Sequence, residues 1–124
     1  MTREITGTWH VLAVNNVDIS ASYFQDILNF KLESSHHGWR FLSNGVFRIM
    51  LGECIDEVPA SQIGNHSYIA YIDVADVDAL FSQYQANGVT FTQCIADKPW
   101  GMREFGVITP DGHRIMFGQP LPSD

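Results

Sequence analysis

The chain has 124 residues, 45% of them hydrophobic and 17% charged, with ten Gly and five Pro, which excludes collagen, coiled coil and disorder and is expected of one compact domain. Fourteen Asp and Glu against seven Lys and Arg give a net charge of −7 with no basic run, so the phosphate-neutralising patch of a nucleic-acid binder is missing. No window reaches the roughly 18 apolar residues of a membrane span, and Met1-Thr2-Arg3-Glu4 lacks the apolar stretch of a signal peptide, so a cytoplasmic location without a membrane partner is expected. Trp9 to Val14 is apolar and β-branched enough for a strand. Asn16 to Asp18 then offers side-chain acceptors to the free N–H groups of a helix, and Ile19, Tyr23, Phe24, Ile27 and Leu28 give that helix one apolar face. Strand material follows at Phe30 to Ser34, Trp39 to Leu42 and Val46 to Leu51, the last two joined by an Asn44-Gly45 turn.

After a linker marked by Pro59, Ser61, Gly64 and Asn65, the same order returns. Ile69 to Val74 reads as a strand, Asp76 to Asp78 as a cap, and Val77, Leu80, Phe81 and Tyr84 as a helix stopped by Gly88. Strands are predicted at Thr90 to Ile95, Arg103 to Thr109 and Arg114 to Phe117, with a Pro110-Asp111-Gly112 turn before the last. Cys54 and Cys94 stand in no CxxC context and are expected as free, core-type thiols.

The repetition is visible in the residues themselves. At an offset of 60, five of the twelve positions from 14 to 25 are identical: Val14 and Val74, Val17 and Val77, Asp18 and Asp78, Ser22 and Ser82, Gln25 and Gln85. At an offset of 66, Arg48-Ile49-Met50-Leu51-Gly52 matches Arg114-Ile115-Met116-Phe117-Gly118. The expected architecture is α+β: two βαβββ modules with pseudo-twofold symmetry, forming a cupped mixed sheet with helices on its outer face. Module 1 covers about residues 5–52, the linker 53–66 and module 2 about 67–120, within a single domain over 1–124.

Two segments carry a family resemblance. Tyr23-Phe24-Gln25-Asp26-Ile27-Leu28-Asn29-Phe30 is similar to an FYxDxLGF helix ending, with Asn29 in place of the usual Gly. Pro99-Trp100-Gly101-Met102-Arg103-Glu104-Phe105, leading to Thr109-Pro110-Asp111-Gly112-His113-Arg114-Ile115, is similar to PWGxREF…DPDGxxI, with Thr109 for the usual Asp. On these residues the chain resembles the vicinal oxygen chelate superfamily, which holds glyoxalase I, the bleomycin-resistance proteins and the extradiol dioxygenases, and it looks most like the bleomycin-resistance type. The resemblance implies a ligand or metal inside the cup, and a homodimer whose cups are completed side by side or by exchanged modules.

In the metal-dependent members, a ligand stands at the start of the first strand and another in the last strand of each module. Carried over, those positions are Trp9, Met50, Ile69 and Met116. Indole and alkyl groups are no ligands, and thioether sulfur suits the family's divalent ions poorly, so no metal and no cofactor are expected. A one-residue slip would put His10 in place of Trp9, which keeps a metal reading open, but alternation sets His10 with Leu12 and Val14 toward the helix. His36 and His37 are expected in solvent, and His66 and His113 gather no partners in the sequence.

The same alternation gives a cup-facing set of Trp9, Val11, Ala13, Arg48, Met50, Ile69, Tyr71, Asp73, Arg114 and Met116, an apolar floor with a few polar groups. These side chains either line a pocket or fill it. Arg48 and Arg114 either reach an anionic ligand or stand on the rim. Trp100, Met102 and Arg103 lie on a segment similar to the groove wall of bleomycin-resistance proteins, and Glu104 is expected as the buried partner of an arginine. No nucleophile–base pair is evident. The expected function is metal-free binding of a small, partly planar organic molecule. A metal-dependent glyoxalase-like lyase or isomerase, or a ring-cleaving dioxygenase, is the alternative.

Overall fold

A computed structural model describes residues 6–64 and 67–122. Its elements are β1 (His10–Val14), α1 (Val17–Asp26), β2 (Lys31–His36), β3 (Trp39–Asn44), β4 (Phe47–Glu53), β5 (Tyr68–Asp73), α2 (Val77–Ala86), β6 (Phe91–Asp97), β7 (Met102–Ile108) and β8 (Arg114–Pro120), with a 3-10 turn at Ala60–Gln62 in the linker. The βαβββ order therefore occurs twice, as the repeat predicts. Each copy forms its own four-stranded sheet, β1-β4-β3-β2 and β5-β8-β7-β6. Each sheet is mixed: β1 runs parallel to β4 and β5 to β8, and the other pairings are antiparallel.

The helices begin where the acceptors predict. The Asn16 side chain accepts from the N–H groups of Asp18 and Ile19, and the Asp76 carboxylate accepts from Ala79 N–H. After α1 the chain turns at Asn29, whose φ of 64° is left-handed; Asn tolerates this region better than most residues, which accounts for its place where the family has Gly. Thr109 also keeps its turn, because its hydroxyl oxygen accepts from His113 N–H at 3.1 Å.

Period-two alternation in β4 buries Phe47, Ile49 and Leu51 and leaves Arg48 and Met50 on the opposite face. One apolar cluster joins the modules, with Leu12, Phe24, Leu28 and Ile49 from the first and Tyr84, Phe105, Ile115 and Phe117 from the second. Polar ties cross the same junction. Tyr84 donates its hydroxyl proton to the Leu28 carbonyl at 3.1 Å, and Asn87 Nδ2 donates to the Ile27 carbonyl at 3.0 Å. Asp111 accepts from Ser20 Oγ at 2.5 Å and from Asn15 N–H at 3.3 Å, while its carbonyl accepts from Ser61 N–H at 3.2 Å. A β-carbon on Gly112, at φ 96°, would collide with the Ser61 backbone, so the linker fits against this turn only because residue 112 is glycine.

Three expectations need correction. Cys54 and Cys94 are free, but both are exposed rather than in the core, because one lies in the linker and the other on the edge strand β6. His113, in a turn segment where polar residues are expected and without partners in the sequence, is only 7% exposed and packs into the fold. The alternation through Ile69 breaks at a register shift between Tyr68 and Ala70, and Ile69 packs against the core cluster. His66 lies outside the described residues. Among the described residues no helix is long and apolar enough to cross a membrane.

Candidate functional site

Each sheet covers its helix with one face and leaves the other open. On the first sheet, strand register sets Val11, Met50 and Phe41 in one row and Ala13, Gly52 and Trp39 in the next. The Trp9 ring stands edge-on to Phe41 at 5.6 Å, and the Arg48 guanidinium lies 4.6 Å from the Trp9 ring centroid. Arg48 Nε also donates to the Thr8 carbonyl at 3.1 Å, which holds the cation on the ring. Trp9 remains 36% exposed and Val11 64%, so this is a solvent-facing aromatic and aliphatic surface with one guanidinium.

The second sheet repeats the rows with different chemistry: Tyr71, Met116 and Gly106, then Asp73, Gly118 and Glu104. Glu104 is 4% exposed, and its Oε1 accepts from the Tyr71 hydroxyl at 3.1 Å and from the Trp100 indole N–H at 3.0 Å. One buried carboxylate thus orients two exposed aromatic side chains. Desolvation, and then the hydrogen bond and charge of Glu104 with the charge of Asp73, push the Tyr71 phenol up to about 12, so it stays a donor at neutral pH.

Glycines let the rings lie flat. A β-carbon on Gly52 would come within 2.8 Å of the Trp39 ring, and one on Gly118 would collide with the Tyr71 hydroxyl. These glycines end the two RIM-containing segments, so the repeat places a gap under an aromatic ring in both modules. Gly106 likewise makes room for the Met116 sulfur.

A family model described as the Glyoxalase/Bleomycin resistance protein/Dioxygenase superfamily matches residues 8–117. The chain belongs to this superfamily. A bleomycin resistance protein from Geobacillus stearothermophilus is 30% identical over 125 residues, covering 90% of this chain and 95% of the relative. Among solved structures, a bleomycin-binding protein from Streptomyces verticillus complexed with copper(II)-bleomycin superposes with a TM-score of 0.74 at 21% identity, over 98% of this chain and 100% of that one. TnmS3, an antibiotic binding protein from Streptomyces sp. CB03234, superposes with a TM-score of 0.77 at 20% identity, over 96% and 99% of the two chains.

The metal site of this superfamily does not fit the residues here. Met50 and Met116 carry thioethers, Trp9 holds an arginine, and Ile69 packs against the core. Among the described residues no three His, Cys, Asp or Glu side chains gather as a metal-ligating group. His10 does not replace them: its ring stands edge-on to Phe47 at 5.2 Å on the helix side of β1.

The remaining predicted site residues divide by face. Met102 alternates with Glu104 on β7 and shares its face. The Arg114 guanidinium lies 5.7 Å from the Tyr68 ring centroid, next to the β5 bulge. Arg103 points the other way, toward α2, where it pairs with Asp78 and Asp97 at 2.9 Å each. It ties a strand to the first turn of a helix rather than lining the open face. Arg40 makes the corresponding tie in module 1, to Asp18 at 2.8 Å. Glu104 is buried as expected, but its partners are Tyr71 and Trp100, not an arginine. The sequence reading missed Trp39, Phe41 and the paired glycines, although Gly52 and Gly118 stand at the ends of the matched segments.

Proposed function

We propose that this protein binds a small, partly planar organic molecule without a metal ion, gripping it by stacking and hydrogen bonding on the open sheet faces. The observation that carries this reading is the Tyr71–Glu104–Trp100 cluster: two exposed aromatic side chains held by one buried carboxylate, on a face whose would-be ion ligands are apolar or thioether groups. Preoriented rings lower the ordering cost of binding. The relatives named for bleomycin resistance, and the structural neighbours described as bleomycin-binding and antibiotic binding, support an organic ligand. Val11, Trp39, Tyr71 and Trp100 expose apolar surface on both sheets, which supports a homodimer that sets one open face against another and encloses the ligand between them.

The test is a titration with metal-free bleomycin followed by tryptophan fluorescence, since Trp9, Trp39 and Trp100 belong to the surfaces concerned. Saturable quenching is expected, and Trp9→Ala weakens binding by about fivefold or more, as loss of an aromatic anchor does. Sedimentation of the free protein as a dimer is expected alongside. Stoichiometric Ni, Zn, Mn or Fe retained through purification and lost on His10→Ala would overturn the reading in favour of a metal-dependent lyase or dioxygenase.

A further inference from the structure

The His113 imidazole is buried with its hydrogen-bonding capacity unfilled. The residue is 7% exposed, and its Nδ1 finds no partner among the described residues. An empty buried polar group of this kind costs about 1–3 kcal/mol. Two bonds to Thr109 hold the residue in place: His113 N–H donates to Thr109 Oγ1 at 3.1 Å, and the His113 carbonyl accepts from Thr109 N–H at 2.9 Å. The side chain so fixed lines a cavity of about 250 Å³ between the linker and the start of β5.

The other walls are mostly apolar. Val58, Ala60 and Ile63 come from the linker, Ala13 from β1 and Ile69 from β5, and Val58 and Ile63 are large apolar side chains left exposed. The cavity far exceeds the roughly 30 Å³ share of one water, and a buried water makes about three hydrogen bonds. Besides the imidazole, the lining side chains offer only the hydroxyls of Ser67 and Tyr68, too few polar partners for a water cluster. Among the described residues no Asp, Glu, Lys or Arg lines the cavity, and burial holds the imidazole below its ordinary pKa range, so it is neutral at pH 7. A charged ligand would find no counter-charge, and a hydrocarbon would leave the imidazole empty. A hydroxyl donates and accepts, which matches either nitrogen of a neutral imidazole. We propose that this cavity is a second binding site, for a small neutral aromatic alcohol of about phenol size, whose ring lies on Val58, Ile63 and Ile69 and whose hydroxyl hydrogen-bonds the His113 imidazole. The cavity shares Ala13 with an open-face row but none of Tyr71, Glu104 and Trp100, so its test can fail while the function proposed above holds, and the reverse.

The probes 4-methylphenol, 1,4-dimethylbenzene, 4-methylbenzoate and 4-methylbenzylamine share a ring and differ in one substituent. Binding to the full chain is followed by amide chemical shifts and by the imidazole nitrogen shifts of His113. The phenol is expected to move amides of Val58 to Ile63 and of Ser67 to Ile69 together with the imidazole nitrogens, and to leave Tyr71, Glu104 and Trp100 in place. The dimethylbenzene should move the same amides with little change at the imidazole. The two charged probes should bind about threefold or more weakly than the phenol. In His113→Phe the ratio of phenol to dimethylbenzene affinity should fall by about threefold or more, the share of one hydrogen bond. Ala60→Leu narrows the cavity from the linker side and should abolish binding of both neutral probes. An unchanged affinity ratio in His113→Phe, imidazole nitrogens that ignore the phenol, charged probes that bind as tightly, shifts confined to the open faces, or no binding at millimolar phenol would each overturn the proposal. So would cavity shifts that follow protein concentration alone, which would mean that a second copy of the chain covers the opening.

Discussion

The Tyr84 hydroxyl donates to the Leu28 carbonyl at 3.1 Å across the module junction, where both residues are almost wholly buried. Burial raises the Tyr84 pKa well above its ordinary range, so the phenol remains a proton donor wherever the fold persists. Tyr84→Phe keeps the ring against Phe105 and Phe117 but leaves the Leu28 carbonyl without this partner. The expected cost is about 1–2 kcal/mol. It should appear as a lower urea midpoint with an unchanged slope; a change in slope would mean that the modules unfold separately and that the junction is not one cooperative unit.

Gly118 gives the Tyr71 ring its place on the second sheet. In Gly118→Ala the new methyl collides with the Tyr71 hydroxyl, so the ring must swing outward and its bond to Glu104 is lost. Tyr71 lies at a solvent-facing position, so the stability cost should stay near the lower end of about 1–3 kcal/mol typical of overpacking, while ligand affinity falls with loss of the oriented phenol. Denaturation and ligand titration of the same variant separate the two effects. Undiminished affinity would mean that Tyr71 takes no part in binding.

The fold was legible because each module states it twice over: the alternation in Phe47 to Leu51 and the caps at Asn16 and Asp76 are local features that decide local structure. The open faces of the candidate site were legible only where the alternation ran unbroken. Trp9, Arg48, Met50, Tyr71 and Met116 follow from it, but the bulge at Tyr68 to Ala70 moves Ile69 out of the expected row, and no sequence period announces a bulge. Arg103 is expected on a groove wall and Glu104 as the buried partner of an arginine, yet neighbours on a strand point to opposite faces. Arg103 meets Asp78 and Asp97 on one side, and Glu104 meets Tyr71 and Trp100 on the other. Which partners a polar side chain finds across some 25 or 33 positions, as in Arg103–Asp78 and Tyr71–Glu104, is a tertiary fact.

Trp100 is 64% exposed and is held through its indole N–H by Glu104. Glu104→Leu removes that acceptor and leaves Trp100 on a turn with the Lys98 ammonium 5.9 Å from its ring. In a Trp9→Phe/Trp39→Phe background the fluorescence anisotropy of Trp100 should fall. Affinity for an open-face ligand should drop about threefold to tenfold, since binding must then order the side chain. Glu104→Gln keeps an acceptor at the same place and should retain most of the anisotropy. If both variants behave alike, the charge rather than the hydrogen bond holds the ring.

His113 links stability to pH. Burial lowers its pKa from 6.5, and the opposing pull of Asp111 is the smaller influence. The fold therefore keeps the imidazole neutral where an unfolded chain has begun to protonate it. Above pH 6.5 neither state holds the extra proton and His113 makes no difference; as pH falls through 6.5 the unfolded state gains a proton that the folded state resists, and stability declines. The slope from this one group can reach about 1.4 kcal/mol per pH unit until the lowered folded-state value is met. Urea midpoints should decline from about pH 7 toward about pH 5, and more steeply for the wild type than for His113→Gln, whose amide does not titrate. The other histidines are common to both proteins, so the difference between the two curves isolates residue 113. Parallel curves across that window would mean that His113 protonates as readily folded as unfolded, and that its packing against the linker leaves room for a charged ring.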